Sequence, residues 1–149
     1  MKKVLLDTNL LIAAFDSSAT TSPDEKAKAV ETLTSLLSDA DTKIVITPLI
    51  RYEVLRGIQW EDSDRYNKVK EVLNDFVELD ITRNVSELAS NLYRFDLQSG
   101  LEGRNLDKRK FDVFHFSTAQ CNHLDFASQD TDIAKIGDLY YRYQSHLTS

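Results

Sequence analysis

The sequence predicts an α/β fold, a three-layer α/β/α sandwich around a mainly parallel sheet, and two observations carry that expectation. The first is a change of period near the start. Val4–Leu6 is a short apolar run, whereas Leu10, Leu11, Ala14 and Phe15 recur at helical spacing, so a buried strand runs into a helix through Asp7, Thr8 and Asn9. The second is that strand-like runs and amphipathic helical stretches alternate along the chain, the pattern of a parallel sheet covered on both faces.

The elements follow in order. Asp16–Thr21 reads as a polar loop, and Ser22-Pro23-Asp24-Glu25 as a helix start with Ser22 at the N-cap, Pro23 at the first position and Glu25 completing a capping box. Ala29, Leu33, Leu36 and Leu37 give that helix its apolar face. Lys43–Ile46 reads as a second strand, and Thr47-Pro48 opens a helix carrying Ile50, Val54 and Ile58 on one side. Asp62 or Ser63 caps a helix through Val69, Val72 and Leu73, and Phe76–Leu79 looks like a third strand. Thr82 precedes a long helix with Val85, Leu88, Ala89, Leu92 and Phe95 inward, closing at Gly100. Leu101–Lys110 reads as a charged loop, Asp112–Cys121 as a helix and Leu124–Ala127 as a fourth strand. A short helix near Thr131–Ile136 and a last strand through Leu139–Tyr143, where tyrosines alternate, complete the expectation.

The chain of 149 residues is most simply one domain, residues 1–149, able to bury roughly 68–70% of its unfolded surface without disulfides or structural metals. Its one cysteine, Cys121, forms no internal disulfide, which fits a reducing cytoplasm. Lys2-Lys3 ahead of Val4–Phe15 has the outline of a secretory leader, but Asp7 and Asn9 interrupt the apolar run, so it reads as part of the folded chain. No apolar run approaches the roughly 20 residues of a membrane span. A net charge of −6 argues against nucleic-acid binding by bulk electrostatics, though not against a local basic patch beside an acidic centre.

Four acidic residues fall where this layout puts one end of the sheet. Asp7 ends the first strand, Glu53 lies in the first turns of the helix after the second, Asp112 begins the helix before the fourth, and Asp130 follows that strand in Ser128-Gln129-Asp130. In an open parallel sheet, ligands sit outside the carboxyl ends of the strands. Carboxylates from separate elements, without histidine or cysteine, suit a hard divalent ion such as Mg2+ or Mn2+. Each also has a plainer reading: Asp7 or Thr8 caps a helix, Glu53 is solvated, Asp112 faces a helix dipole, and Asp130 is a turn residue. His115, one turn after Asp112, reads as a packed helix histidine before it reads as a site residue. Arg104, Lys108, Arg109 and Lys110 crowd the charged loop, where they would meet RNA phosphates or simply solvent.

Four segments, in this order, resemble the PIN-domain family and its VapC-type toxin ribonucleases. They are Val-Leu-Leu-Asp7-Thr8-Asn9-Leu-Leu-Ile, Ile-Thr47-Pro-Leu-Ile-Arg-Tyr-Glu53-Val-Leu-Arg-Gly57, Phe-Asp112-Val-Phe-His-Phe-Ser-Thr118-Ala and Ala-Ser128-Gln-Asp130. The resemblance implies metal-dependent cleavage of RNA phosphodiesters. It makes Asp7, Glu53, Asp112 and Asp130 the metal-site carboxylates, with Thr8, Asn9 and Ser128 as nearby polar support. It also implies a protein antitoxin that blocks the acidic cleft, and self-association as a homodimer or within a hetero-oligomer. The fourth segment departs from the pattern: Ser128 stands where threonine is frequent, Thr131 follows the acid where a basic residue is frequent, and Asp132 is an alternative to Asp130. Three rivals remain: a PIN-like RNA-processing nuclease outside toxin systems, a non-catalytic binding module, and a haloacid-dehalogenase-like phosphatase. The last wants a second aspartate two residues after the first, where this chain has Asn9.

Overall fold

A computed structural model describes residues 1–16, 21–99, 106–128 and 131–148, with the side chains of 106–108 and 131–133 outside that description. The described elements are β1 (Lys2–Leu6), α1 (Thr8–Phe15), α2 (Pro23–Ser38), β2 (Thr42–Ile46), α3 (Pro48–Arg56), α4 (Ser63–Asn74), β3 (Val77–Glu78), α5 (Arg83–Ser99), α6 (Leu106–Cys121), β4 (Asp125–Ala127) and α7 (Thr131–Thr148). The fold class is the expected one, α/β with a parallel central sheet. The chain divides into two compact units, Met1–Asp80 with Asp125–Gln129, and Ile81–Leu124 with Asp130–Ser149.

The first unit holds the sheet, in the order β3-β2-β1-β4, with every pairing parallel. Leu5 pairs with Val45 on one side and Phe126 on the other, which makes β1 a central strand. Val4, Leu5, Leu6, Ile44, Val45 and Ile46 are all buried, so consecutive residues on both faces are covered. That is why β1 and β2 read as continuous apolar runs rather than as alternation. α1 packs on α2 and α3, α2 on β2, and α3 on α4. The caps form as expected: the Ser22 hydroxyl accepts from Glu25 N–H, Thr47 from Ile50 N–H, and Asp62, rather than Ser63, from Arg65 N–H.

The second unit is a helical core. Ala89 and Leu92 of α5, Val113 of α6, and Ile136 and Leu139 of α7 form its buried centre, with Phe95, Phe116, Tyr140 and Tyr143 packed around it. Phe95 meets Tyr143 edge-on at 5.9 Å between ring centroids, and Phe116 meets Tyr140 at 5.4 Å.

Four expectations are corrected. The short helix and last strand at the end are one helix, α7. Ile136, Leu139, Tyr140 and Tyr143 are spaced i, i+3, i+4 and i+7, which places them on one helical face. The tyrosine alternation was a coincidence of period over five residues. Tyr141, on the other face, is 72% exposed. The charged loop is shorter than expected, because α6 starts at Leu106 and carries Arg109 and Lys110 within the helix; residues 101–105 lie outside the described residues. The third strand reduces to Val77 and Glu78, both exposed at the sheet edge. Leu37, expected on the inner face of α2, is 59% exposed. Of the expected loop Asp16–Thr21, residues 17–20 lie outside the described residues. Among the described residues, no helix is long and apolar enough to cross a membrane.

Candidate carboxylate site at the strand ends

In a parallel sheet every carboxyl end lies on one edge, so β1, β2 and β4 deliver Asp7, Thr47 and Ser128 to the same side. Asp7 N–H donates to Ala127 O at 2.9 Å and extends the β1–β4 ladder by one residue. Asp7 occupies the N-cap position of α1 with extended backbone (φ −70°, ψ 142°), yet its side chain makes no capping hydrogen bond. Instead its Oδ2 accepts from Ser128 Oγ at 2.8 Å. The choice between cap and site is thereby narrowed: the backbone of Asp7 starts the helix, and its carboxylate is directed elsewhere.

Next to it, Thr8 Oγ1 donates to Glu53 Oε1 at 3.2 Å. Glu53 is brought there by α3, which Thr47 and Pro48 start directly after β2. Asp7 is 1% exposed and Glu53 9%, so the solvated reading of Glu53 does not hold. Aspartate and glutamate are almost never this buried unless something holds their charge. Two hydrogen-bonded pairs, Asp7 with the part-buried Ser128 and Thr8 with Glu53, thus meet in sequence at Asp7-Thr8; Asn9, in the first turn of α1, is exposed.

The second unit carries Asp112, 5% exposed, on α6. It lies beyond the first turn, since the helix begins six residues earlier, so the dipole explanation of this residue falls away. Beside it along the helix, Arg109 is buried with its Nε 3.7 Å from Oδ2 of the buried Asp96 on α5. Arg109 is therefore an internal residue rather than the solvated, RNA-facing cation expected, because the helix that replaces the loop turns it inward. Lys110 is exposed and its ammonium lies 5.3 Å from the centre of the Phe111 ring. His115 is 1% exposed, a packed helix histidine. Thr118 Oγ1 donates back to Phe114 O at 2.8 Å. Asp130 and Arg104, and the side chains of Lys108 and Asp132, lie outside the described residues.

The sequence reading missed Asp96. Its signal was visible: the inward stripe Val85, Ala89, Leu92 continues at helical spacing to a charge at 96. Among the described residues, no three histidine, cysteine, aspartate or glutamate side chains gather around one metal position. Asp7 and Glu53 nonetheless offer only oxygen donors, flanked by hydroxyls, and that chemistry fits a hard divalent ion that keeps several waters as ligands.

Comparison with curated protein sequences returns no match. Solved structures share the fold. FitAcB from Neisseria gonorrhoeae is 19% identical with a TM-score of 0.62, covering 91% of this chain and 93% of that one. VapBC2 from Rickettsia felis, bound to a DNA fragment from its promoter, is 16% identical with a TM-score of 0.62, covering 90% and 92%. Mycobacterium tuberculosis VapC20, a Sarcin-Ricin loop cleaving toxin, is 11% identical with a TM-score of 0.63, covering 90% and 95%. A sequence profile of the PIN domain matches residues 4–139. With Asp7 at the end of β1 and Glu53 on α3 both inside that match, this chain belongs to the PIN-domain family.

Proposed function

We propose that the chain is a Mg2+- or Mn2+-dependent ribonuclease, a single catalytic domain acting as the toxin of a toxin–antitoxin pair. In this reading Asp7, Glu53, Asp112 and Asp130 are the metal-site carboxylates, and Thr8, Asn9 and Ser128 support them. The observation that supports it most is the burial of Asp7 and Glu53 with their carboxylates on neighbouring hydroxyls and no capping role for Asp7. Burying two carboxylates costs desolvation, which a bound divalent ion would offset. The toxin assignment and the antitoxin partner rest on two structural relatives, a toxin–antitoxin complex from Klebsiella pneumoniae and the Sarcin-Ricin loop cleaving toxin VapC20. Assembly with that antitoxin, as a homodimer or hetero-oligomer, and action in the cytoplasm belong to the same reading.

Phosphodiester hydrolysis requires a deprotonated water, neutralised charge on the phosphorane oxygens and help for the leaving oxygen. A bound divalent ion supplies acidified water and charge neutralisation. The residues of this chain do the rest. Ser128 orients the Asp7 carboxylate by donating to Oδ2, and Thr8 fixes Glu53 by donating to Oε1, so both carboxylates present defined lone pairs. One of these carboxylates would then accept the water's proton. Lys110, exposed on α6 two residues before Asp112, provides a phosphate contact.

The test is cleavage of RNA by purified protein with Mg2+ or Mn2+. Asp7→Asn and Asp112→Asn should each lose at least about a hundredfold. Full activity in excess EDTA would refute the reading.

A further inference from the structure

The buried pair Asp96–Arg109 has no part in the chemistry above, yet it sits one turn from Asp112. We infer that it is a positioning device: Asp96 on α5 holds Arg109 and so sets where α6 presents Asp112. This rests on the nuclease reading, in which Asp112 is a metal-site carboxylate.

Three features argue for it. The first is burial: the Arg109 side chain is 9% exposed and that of Asp96 2%, so two charges leave water together. At 3.7 Å, Nε and Oδ2 are an ion pair but not a close hydrogen bond. Replacing such a buried pair by apolar residues of similar size is often neutral or stabilising, so stability alone does not call for it. The second is polarity. Arg109 lies in the first turn of α6, where the helix dipole disfavours a cation, so its placement is not one that helix stability selects. The third is the register. Residues 109 and 112 are separated by about 4.5 Å of helix rise and lie on the same side, so an anchor at 109 constrains 112 directly. Apolar contacts between α5 and α6 would allow small slides of one helix along the other. A charge pair has one favoured alignment.

Arg109 and Asp96 are therefore positioning residues, not catalytic ones. The test uses the full chain and four variants: Asp96→Leu with Arg109→Met together, each of these singly, and the exchange of Asp96→Arg with Arg109→Asp. Melting curves report folding. RNA cleavage well below the melting temperature gives kcat and KM, and Mn2+-induced shifts in melting report metal binding independently of activity. The Leu/Met double variant is expected to fold and to melt at or above the parent. Its kcat should fall at least tenfold with KM within twofold, and its Mn2+-induced shift should shrink. The exchanged pair should recover part of kcat. Unchanged kcat and an unchanged Mn2+ shift in the folded double variant would overturn the inference and leave the nuclease reading intact. A raised KM at unchanged kcat would also overturn it, by making Arg109 an RNA contact. If the parent itself neither cleaves RNA nor responds to Mn2+, the nuclease reading fails and takes the inference with it.

Discussion

Neutralising Asp7 is expected to stabilise the metal-free protein. The side chain is 1% exposed, and the adjacent Thr8 donates to Glu53, itself 9% exposed. An ionised carboxylate in such a place costs several kcal/mol of desolvation. The bond from Ser128 Oγ to Asp7 Oδ2, charge-assisted at 2.8 Å, returns about 1.5–3 kcal/mol. Asp7→Asn removes the charge, keeps the shape and leaves an oxygen for Ser128. The balance is a gain of order 1 kcal/mol, or roughly 2–4 °C in melting temperature for a chain of this size. Metal should reverse the ranking. At ten times the dissociation constant, Mn2+ should stabilise the parent by about 1.4 kcal/mol through mass action, and the variant by much less. The assay is a set of four melting curves, parent and Asp7→Asn, each in EDTA and in Mn2+. Two results refute the reasoning: a variant that melts clearly below the parent in EDTA, or an equal Mn2+ shift in both proteins. The first would mean the carboxylate stabilises the fold, the second that it binds no metal.

Gly137 lies inside α7, and a Cβ added there meets nothing within 4 Å. Gly137→Ala should therefore raise stability by about 0.5–1 kcal/mol, read as a higher denaturant midpoint; a loss would mean this segment is not continuous helix. Lys110→Ala should weaken RNA binding and lower the salt slope of the affinity by about one unit, whereas an unchanged slope would return Lys110 to plain solvated surface. The backbone N–H of Asp41 and then the Thr42 hydroxyl hold the Asp39 carboxyl below its usual 3.8. A depressed folded-state value stabilises above the unfolded one and is lost as pH falls through it. Asp39→Ala should thus destabilise at neutral pH, and the difference should close below 3.8 in unfolding curves; a difference independent of pH would contradict this.

What the sequence by itself determined was whatever depends on a few neighbouring residues. The change of period at Asp7 placed β1 and α1, and Ser22-Pro23 and Thr47-Pro48 placed two helix starts that the hydroxyls of Ser22 and Thr47 do cap. Capping and hydrophobic period are local physics, so they are written locally. Asp7 was legible as the residue that ends β1 and precedes α1 for the same reason, whereas Asp112, expected at a helix start, lies six residues inside α6. What each side chain does was not legible. Whether Asp7 caps its own helix or turns to Ser128 depends on a partner 121 residues away, and the burial of Glu53 on one 45 residues away. The segment after Gly137 fits both a strand and a helix over its few residues, and the packing of Leu139 and Tyr143 against α5 and α6 decides for helix. Arg109 reads as one cation among several until α6 turns it toward Asp96. Desolvation and charge pairing are properties of the folded environment, so only tertiary structure could tell a buried, held charge from a solvated one.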